Sequence, residues 1–294
     1  MLIKNINTFE DLLNCTNKNN LNIYEVCQII ESQENEISEK TIREKVKKTL
    51  DIMKETIKNG LISKELSTGK MTGFDCDKLQ TYYKTQSSLF SPNAQNAILY
   101  ALATAEENAR MGRIAACPTA GACGIVPAII MAFCDKEEAQ INALITAGQI
   151  GKIISNKVAM AGAIMGCQGE CGTAAAMASS ALVCIKGGNA LQIISAAALT
   201  LKNILGLVCD PVAGLVEVPC VKRNAFMTTN AITGAELALS GITSIIPPDE
   251  VVDAMYQVGT FMSPQLKESS EAGLATTKTG LQICKKMQEM YFNN

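Results

Sequence analysis

Gly166-Cys167-Gln168-Gly169-Glu170-Cys171-Gly172-Thr173 opens the stretch around which the rest of the chain is organised. That stretch covers residues 166–224 and carries three cysteines in settings that ordinary packing does not produce. They are Cys167, then Cys209 in Cys209-Asp210-Pro211-Val212-Ala213-Gly214, and Cys220 in Val218-Pro219-Cys220-Val221-Lys222-Arg223-Asn224. A thiolate that binds iron needs N–H groups or cations nearby to hold its charge, and turns rich in glycine and proline leave N–H groups exposed. The three cysteines sit at such turns, 42 and 11 residues apart, so the fold has to bring them together. Around them, residues 139–154, 173–185 and 190–208 read as helices rich in alanine, serine and glycine. Small side chains permit close helix contact, which suits a cage around a buried cofactor and suits an ordinary bundle equally well.

Composition narrows the possibilities. Among 294 residues, 48% are hydrophobic and only 4% aromatic, so the core is built from Ala, Ile, Leu, Val and Met, which favours closely packed helices. The net charge of −2 comes without a basic run beyond the mixed N-terminal segment, which argues against nucleic acid or an anionic membrane as partner. There are twelve cysteines, and residues 1–20 are polar rather than a secretory signal, so reduced thiols in a cytosol are expected, not a disulfide framework. Residues 114–134 are uncharged, but Pro118, Gly121, Gly124 and Pro127 interrupt them and argue against a membrane span. Histidine is absent, so a general base at neutral pH is another group tuned by its surroundings or comes from a different chain.

Along the chain, residues 1–70 read as a helical scaffold and residues 71–294 as the part that carries chemistry, in one continuous domain. Thr8 is a candidate N-cap, and a helix is expected over residues 38–59 with Gly60 as its stop. An alanine-rich helix over residues 93–111 leads into Pro118-Thr119-Ala120-Gly121-Ala122-Cys123-Gly124, a turn opening a buried helix at residues 125–133. Its free N–H groups and the positive helix end suit a carboxylate, with the Thr119 hydroxyl as a further donor; the alternative is a tight turn where two helices approach. Asn156 is either a substrate contact or a helix cap. Glu170 is either an acid or base or a structural carboxylate. Cys171 lies four residues after Cys167 and shares its face if the turn is helical. Further helices are expected at residues 230–245 and 250–258, and Cys284 reads as a packing residue on the last helix.

Three segments carry a resemblance: Cys117-Pro118-Thr119-Ala120-Gly121-Ala122-Cys123-Gly124-Ile125-Val126-Pro127-Ala128; Gly162-Ala163-Ile164-Met165-Gly166-Cys167-Gln168-Gly169-Glu170; and Leu205-Gly206-Leu207-Val208-Cys209-Asp210-Pro211 continuing through Cys220 to Asn224. In this order they resemble the alpha subunit of the iron-sulfur L-serine dehydratases. The resemblance implies an all-α fold, a compact multi-helix domain enclosing an iron-sulfur cluster site. It further implies a [4Fe-4S] cluster on Cys167, Cys209 and Cys220, and substrate binding by Thr119, Ala120 and Gly121, to which Asn156 is added. The implied activity is deamination of L-serine to pyruvate and ammonia, with the histidine-bearing part supplied by a separate beta subunit. Two positions depart from the family pattern: Phe74 stands where a second glycine is usual, and Cys171 where a non-cysteine residue is. The other readings are a cysteine desulfidase or threonine-directed relative, and a non-catalytic iron-sulfur sensor subunit.

Overall fold

A computed structural model describes residues 6–292. Among them are thirteen α-helices and no strand: α1 (Phe9–Asn19), α2 (Ile23–Asn35), α3 (Glu39–Ile62), α4 (Asp75–Thr85), α5 (Pro92–Ala109), α6 (Ile125–Phe133), α7 (Glu137–Ser155), α8 (Gly162–Met165), α9 (Thr173–Ile185), α10 (Ala190–Lys202), α11 (Cys220–Leu239), α12 (Pro248–Phe261) and α13 (Lys278–Phe292). The all-α expectation therefore holds. No helix among the described residues is long and apolar enough to cross a membrane.

The architecture centres on α9, buried at every residue from Thr173 to Val183 and packed against α6, α7, α10 and α11. A helix enclosed on all sides has to be apolar or self-satisfied all round. Here alanines fill the contacts, while Ser179 donates to the Ala176 carbonyl (2.9 Å) and Ser180 to that of Ile193 (3.0 Å). Ile125, Ile129, Ile130, Ile150 and Ile154 supply bulk around it, all fully buried on α6 and α7. With so few aromatic residues, the core depends on close approach of small-residue helices, as the composition implied.

The N-terminal helices wrap this core. Thr8 caps α1 as expected, with a reciprocal bond from its own N–H to Asp11. The expected stop at Gly60 is not one: α3 continues to Ile62, and Gly60 is a contact point instead. A Cβ there would lie 2.1 Å from the Ala103 carbonyl oxygen, so the missing side chain lets α3 settle on the α5 backbone. The second difference is larger. Helix α11 starts at Cys220, ten residues before the expected helix at residues 230–245, and takes the whole third motif from Cys220 onward into its first turns. Pro219 at the preceding position gave no sequence signal against this, since proline is tolerated before and at a helix start.

Candidate functional site

Three pieces of irregular chain converge at the N-terminal end of α9. Between α8 and α9 lies a π-helical turn, Gln168–Gly172, preceded by Cys167. Gly166 sets its direction: φ is +72°, and a Cβ would meet the Leu207 carbonyl oxygen at 2.9 Å, so both conformation and space demand glycine. Gln168 then ties this turn to the chain leading to Cys209. Its N–H donates to the Leu207 carbonyl (2.9 Å), its side-chain oxygen accepts from Gly206 N–H (2.9 Å), and its amide donates to the Met255 carbonyl (3.0 Å).

Cys209 is fixed from the other side by a parallel bridge to Lys267. Its N–H donates to the Leu266 carbonyl (2.8 Å), and its carbonyl accepts from Glu268 N–H (2.7 Å). Cys220 is the first residue of α11, where its N–H is free of the helix ladder. One turn on, fully buried Asn224 donates to the Gly121 carbonyl (2.7 Å) and the Cys220 carbonyl (3.0 Å) and accepts from Gly124 N–H (3.0 Å). That amide thus locks the 118–124 turn to the helix that carries Cys220. Asn224→Ala leaves the Gly121 carbonyl and the Gly124 N–H short of a partner and is expected to destabilise the fold by about 3 kcal/mol. Denaturant midpoints check this; a midpoint equal to the parent's would show that the amide is not the lock.

All four thiols of this region, Cys167, Cys171, Cys209 and Cys220, are buried and free. Cys167 is the thiol whose pKa is lowered. Thiol hydrogen bonds from Cys171 and Cys209 converge on its sulfur, and the Arg223 guanidinium adds its charge, so the pKa falls to about 3. As donors to it, Cys171 and Cys209 are pushed up. Burial, reinforced by the Cys167 charge, pushes Cys220 up to about 12. Arg223 is held in place by the Val208 carbonyl (3.1 Å) and by Asp210 (3.5 Å).

Glu170 lies against the same group. One ligand atom each from Cys167, Glu170 and Cys171 falls within 4.8 Å of the others. Its carboxyl accepts from the Thr119 hydroxyl, and a Cβ on Gly121 would lie 2.6 Å from Oε1. Burial first, and then the Cys167 charge, raise its pKa to about 7 against the opposing Thr119 bond. The 118–124 turn therefore meets the thiols through Glu170. Among the described residues, the N–H groups of Thr119, Ala120, Gly121 and Ala122 donate to no protein acceptor, a row of donors suited to an anion.

Thus Cys167 and Cys209 come together directly, Thr119 and Gly121 join them through Glu170, Cys220 joins through Asn224 and the field of Cys167, and Ala120 completes the turn. Asn156 is elsewhere: exposed at the end of α7, with its amide on the Asn7 carbonyl (3.1 Å). Sequence reasoning assigned no role to Arg223 and Asn224, although both lie within the third motif, three and four residues after Cys220, the spacing that shares a helix face. A cleft of about 930 Å³ between the end of α10 and the outer face of α11, lined by Asn203, Phe226, Asn230 and Leu237, includes none of these thiols. Donor chemistry, not volume, marks the site.

The donor set fits an iron-sulfur cluster: buried sulfurs on three separate pieces of backbone, the Cys167 thiol lowered by its neighbours, with the fixed Arg223 guanidinium as counter-charge. Comparison with known proteins shows the family. The family described as "Serine dehydratase alpha chain" matches residues 18–275. A Bacillus subtilis (strain 168) protein named "Probable L-serine dehydratase, alpha chain" is 46% identical over 269 residues, covering 89% of each chain. A Peptoniphilus asaccharolyticus protein named "L-serine dehydratase, alpha chain" is 39% identical over 95% of this chain and 97% of its own length. A longer Mycobacterium bovis relative, "L-serine dehydratase", is 40% identical over 208 residues, which are 68% of this chain and 45% of that one.

Proposed function

This chain belongs to the serine dehydratase alpha chain family, and from that premise we propose that it is the alpha subunit of an L-serine dehydratase, deaminating L-serine to pyruvate and ammonia with a [4Fe-4S] cluster and a separate beta subunit. What supports the reading is the thiol hydrogen bond from Cys209 to Cys167, with Cys220 in the field of Cys167, beside a turn with four free N–H donors. These three cysteines hold the cluster, and Cys171 remains a hydrogen-bonding neighbour.

When bound, the cluster supplies a Lewis acid at the iron that lacks a protein ligand, which polarises the substrate hydroxyl. The chain's own residues do the rest of the binding. Thr119, Ala120 and Gly121 receive the substrate carboxylate on their N–H groups, at the N-terminal approach to α6. Arg223 offsets the negative charge gathered on the thiolates, and burial of the four cysteines keeps water from weakening that interaction. Loss of the α-proton and of water leaves aminoacrylate, which hydrolyses to pyruvate and ammonia. The base for the α-proton is assigned to the beta subunit, a reading supported by the absence of histidine here and by relatives more than twice the matched length under the undivided name. Twelve free cysteines support a reducing, cytosolic setting.

The test is substrate choice. With the beta subunit added, kcat/KM for L-serine is expected to exceed that for L-threonine and L-cysteine by at least about tenfold, the margin that separates substrates when one extra methyl or a different leaving group must be accommodated. A higher value for L-cysteine, with sulfide released, would make the chain a desulfidase.

A further inference from the structure

The segment after α12 carries an unexplained carboxylate. In Lys267-Glu268-Ser269-Ser270-Glu271-Ala272-Gly273, three residues adopt left-handed backbone: Glu268 (φ +60°), Ser270 (φ +60°) and Gly273 (φ +64°). Two of these are not glycine, a conformation that persists only where surroundings over-determine it. Four hydrogen bonds do so: Glu268 N–H to the Cys209 carbonyl (2.7 Å), Cys209 N–H to the Leu266 carbonyl (2.8 Å), the Ser270 hydroxyl to the Pro211 carbonyl (2.8 Å), and Leu274 N–H to Asp210 (2.8 Å).

This strap aims the Glu268 carboxylate at the thiols. A single Cβ placed on Gly162 would touch both groups, at 2.8 Å from Cys209 Sγ and 3.4 Å from Glu268 Oε2. The charge of Glu268 is felt at Cys209, Cys220 and Glu170. Cys209 is buried and Glu268 exposed, so the carboxylate stands at the rim where the site meets solvent. Among the described residues its side chain takes no hydrogen bond and no ion pair, whereas Glu170 is committed to Thr119 and Arg223 to Asp210 and Val208.

An unpaired carboxylate on a backbone held beside the thiols calls for a cation, and an amino-acid substrate brings one. We propose that Glu268 receives the α-ammonium of the substrate, while the N–H groups of Thr119, Ala120 and Gly121 receive its carboxylate. Two opposite charges held at separate points orient the zwitterion, so that the carbon bearing the hydroxyl faces the thiols. The assignment rests on the amino-acid dehydratase reading above.

The experiment compares Glu268→Gln with the parent, each loaded with iron and combined with the beta subunit, using L-serine and 3-hydroxypropionate, which keeps the carboxylate and hydroxyl but lacks the amine. The KM for L-serine is expected to rise about ten- to hundredfold, the loss of one charge-assisted hydrogen bond. The inhibition constant of 3-hydroxypropionate is expected to change less than about threefold, since the carboxylate contacts remain. Glu271→Gln, three residues along the same strap, should match the parent. An unchanged KM, or parallel weakening of both ligands, overturns the assignment. Should Glu268→Gln hold less iron, Glu268→Asp carries the test: it keeps the charge but withdraws it, and must weaken L-serine while sparing 3-hydroxypropionate, equal effects again overturning the proposal. A parent enzyme inactive on L-serine would instead remove the dehydratase reading itself.

Discussion

Cys209→Ala is expected to leave a folded chain that no longer holds a four-iron cluster, with iron falling from about four atoms per chain toward none after anaerobic reconstitution. The loss in turnover should be at least about a thousandfold, the scale of removing a Lewis acid that contributes several kcal/mol of transition-state stabilisation. The fold should survive, because the cysteine contributes little apolar volume and Cys209 is positioned by its backbone bridge to Lys267, which alanine retains. Cys167→Ala and Cys220→Ala should behave alike. Cys171→Ala is the informative companion: as a neighbour that only donates a hydrogen bond to Cys167, it should leave the iron count near that of the parent. Iron retained in Cys220→Ala but lost in Cys171→Ala would reassign the third ligand to the π-helical turn.

The second large effect is dependence on a partner. Loaded with cluster but alone, the chain is expected to turn over L-serine at least about a hundredfold more slowly than with the beta subunit, the lower end of what a positioned general base contributes. The physical ground is the inventory of the site. Glu170 is raised to about 7, in the range of a general base, but it is committed to the Thr119 hydroxyl and pressed against Gly121. Arg223 is a cation in two fixed contacts, and the remaining thiols are pushed up by burial or by the charge of Cys167. Full turnover by the chain alone would show that one of these groups acts as the base and would remove the need for a second subunit. Steady-state rates at matched iron content, with and without the partner, decide the matter.

Much of this site was legible because it is local. The glycine at 166, the turn at 118–124 and the proline before Cys220 each announce irregular backbone in a few residues, and the helix 173–185 was read with its observed bounds from small-residue composition alone. What was not legible is what ties the pieces together. The role of Gln168, which staples the Cys167 turn to residues 206 and 207, depends on chain 38 residues away in sequence, and nothing near Gln168 signals it. Asn224 bonds across 103 residues to Gly121, and Glu268 reaches Cys209 only because a strained strap folds back on it. The Gly60 stop failed for a related reason: the residue's role is set by the Ala103 carbonyl on another helix, and helix-end statistics cannot register a tertiary contact. The early start of α11 has the same origin, since its first turn is held by Asn224 and by Glu217, whose carboxylate takes the Ser67 hydroxyl (2.6 Å) and Gly69 N–H (2.7 Å).

The central claim is that L-serine binds at a four-iron cluster held by Cys167, Cys209 and Cys220, and it is tested most directly by electron paramagnetic resonance. The chain, reconstituted anaerobically, combined with its beta subunit and mildly reduced, is measured with and without L-serine. The account predicts a four-iron signal that shifts on adding L-serine, and no such signal from Cys209→Ala. A chain that takes up no iron, or a cluster whose signal is indifferent to L-serine even with the partner present, would contradict it.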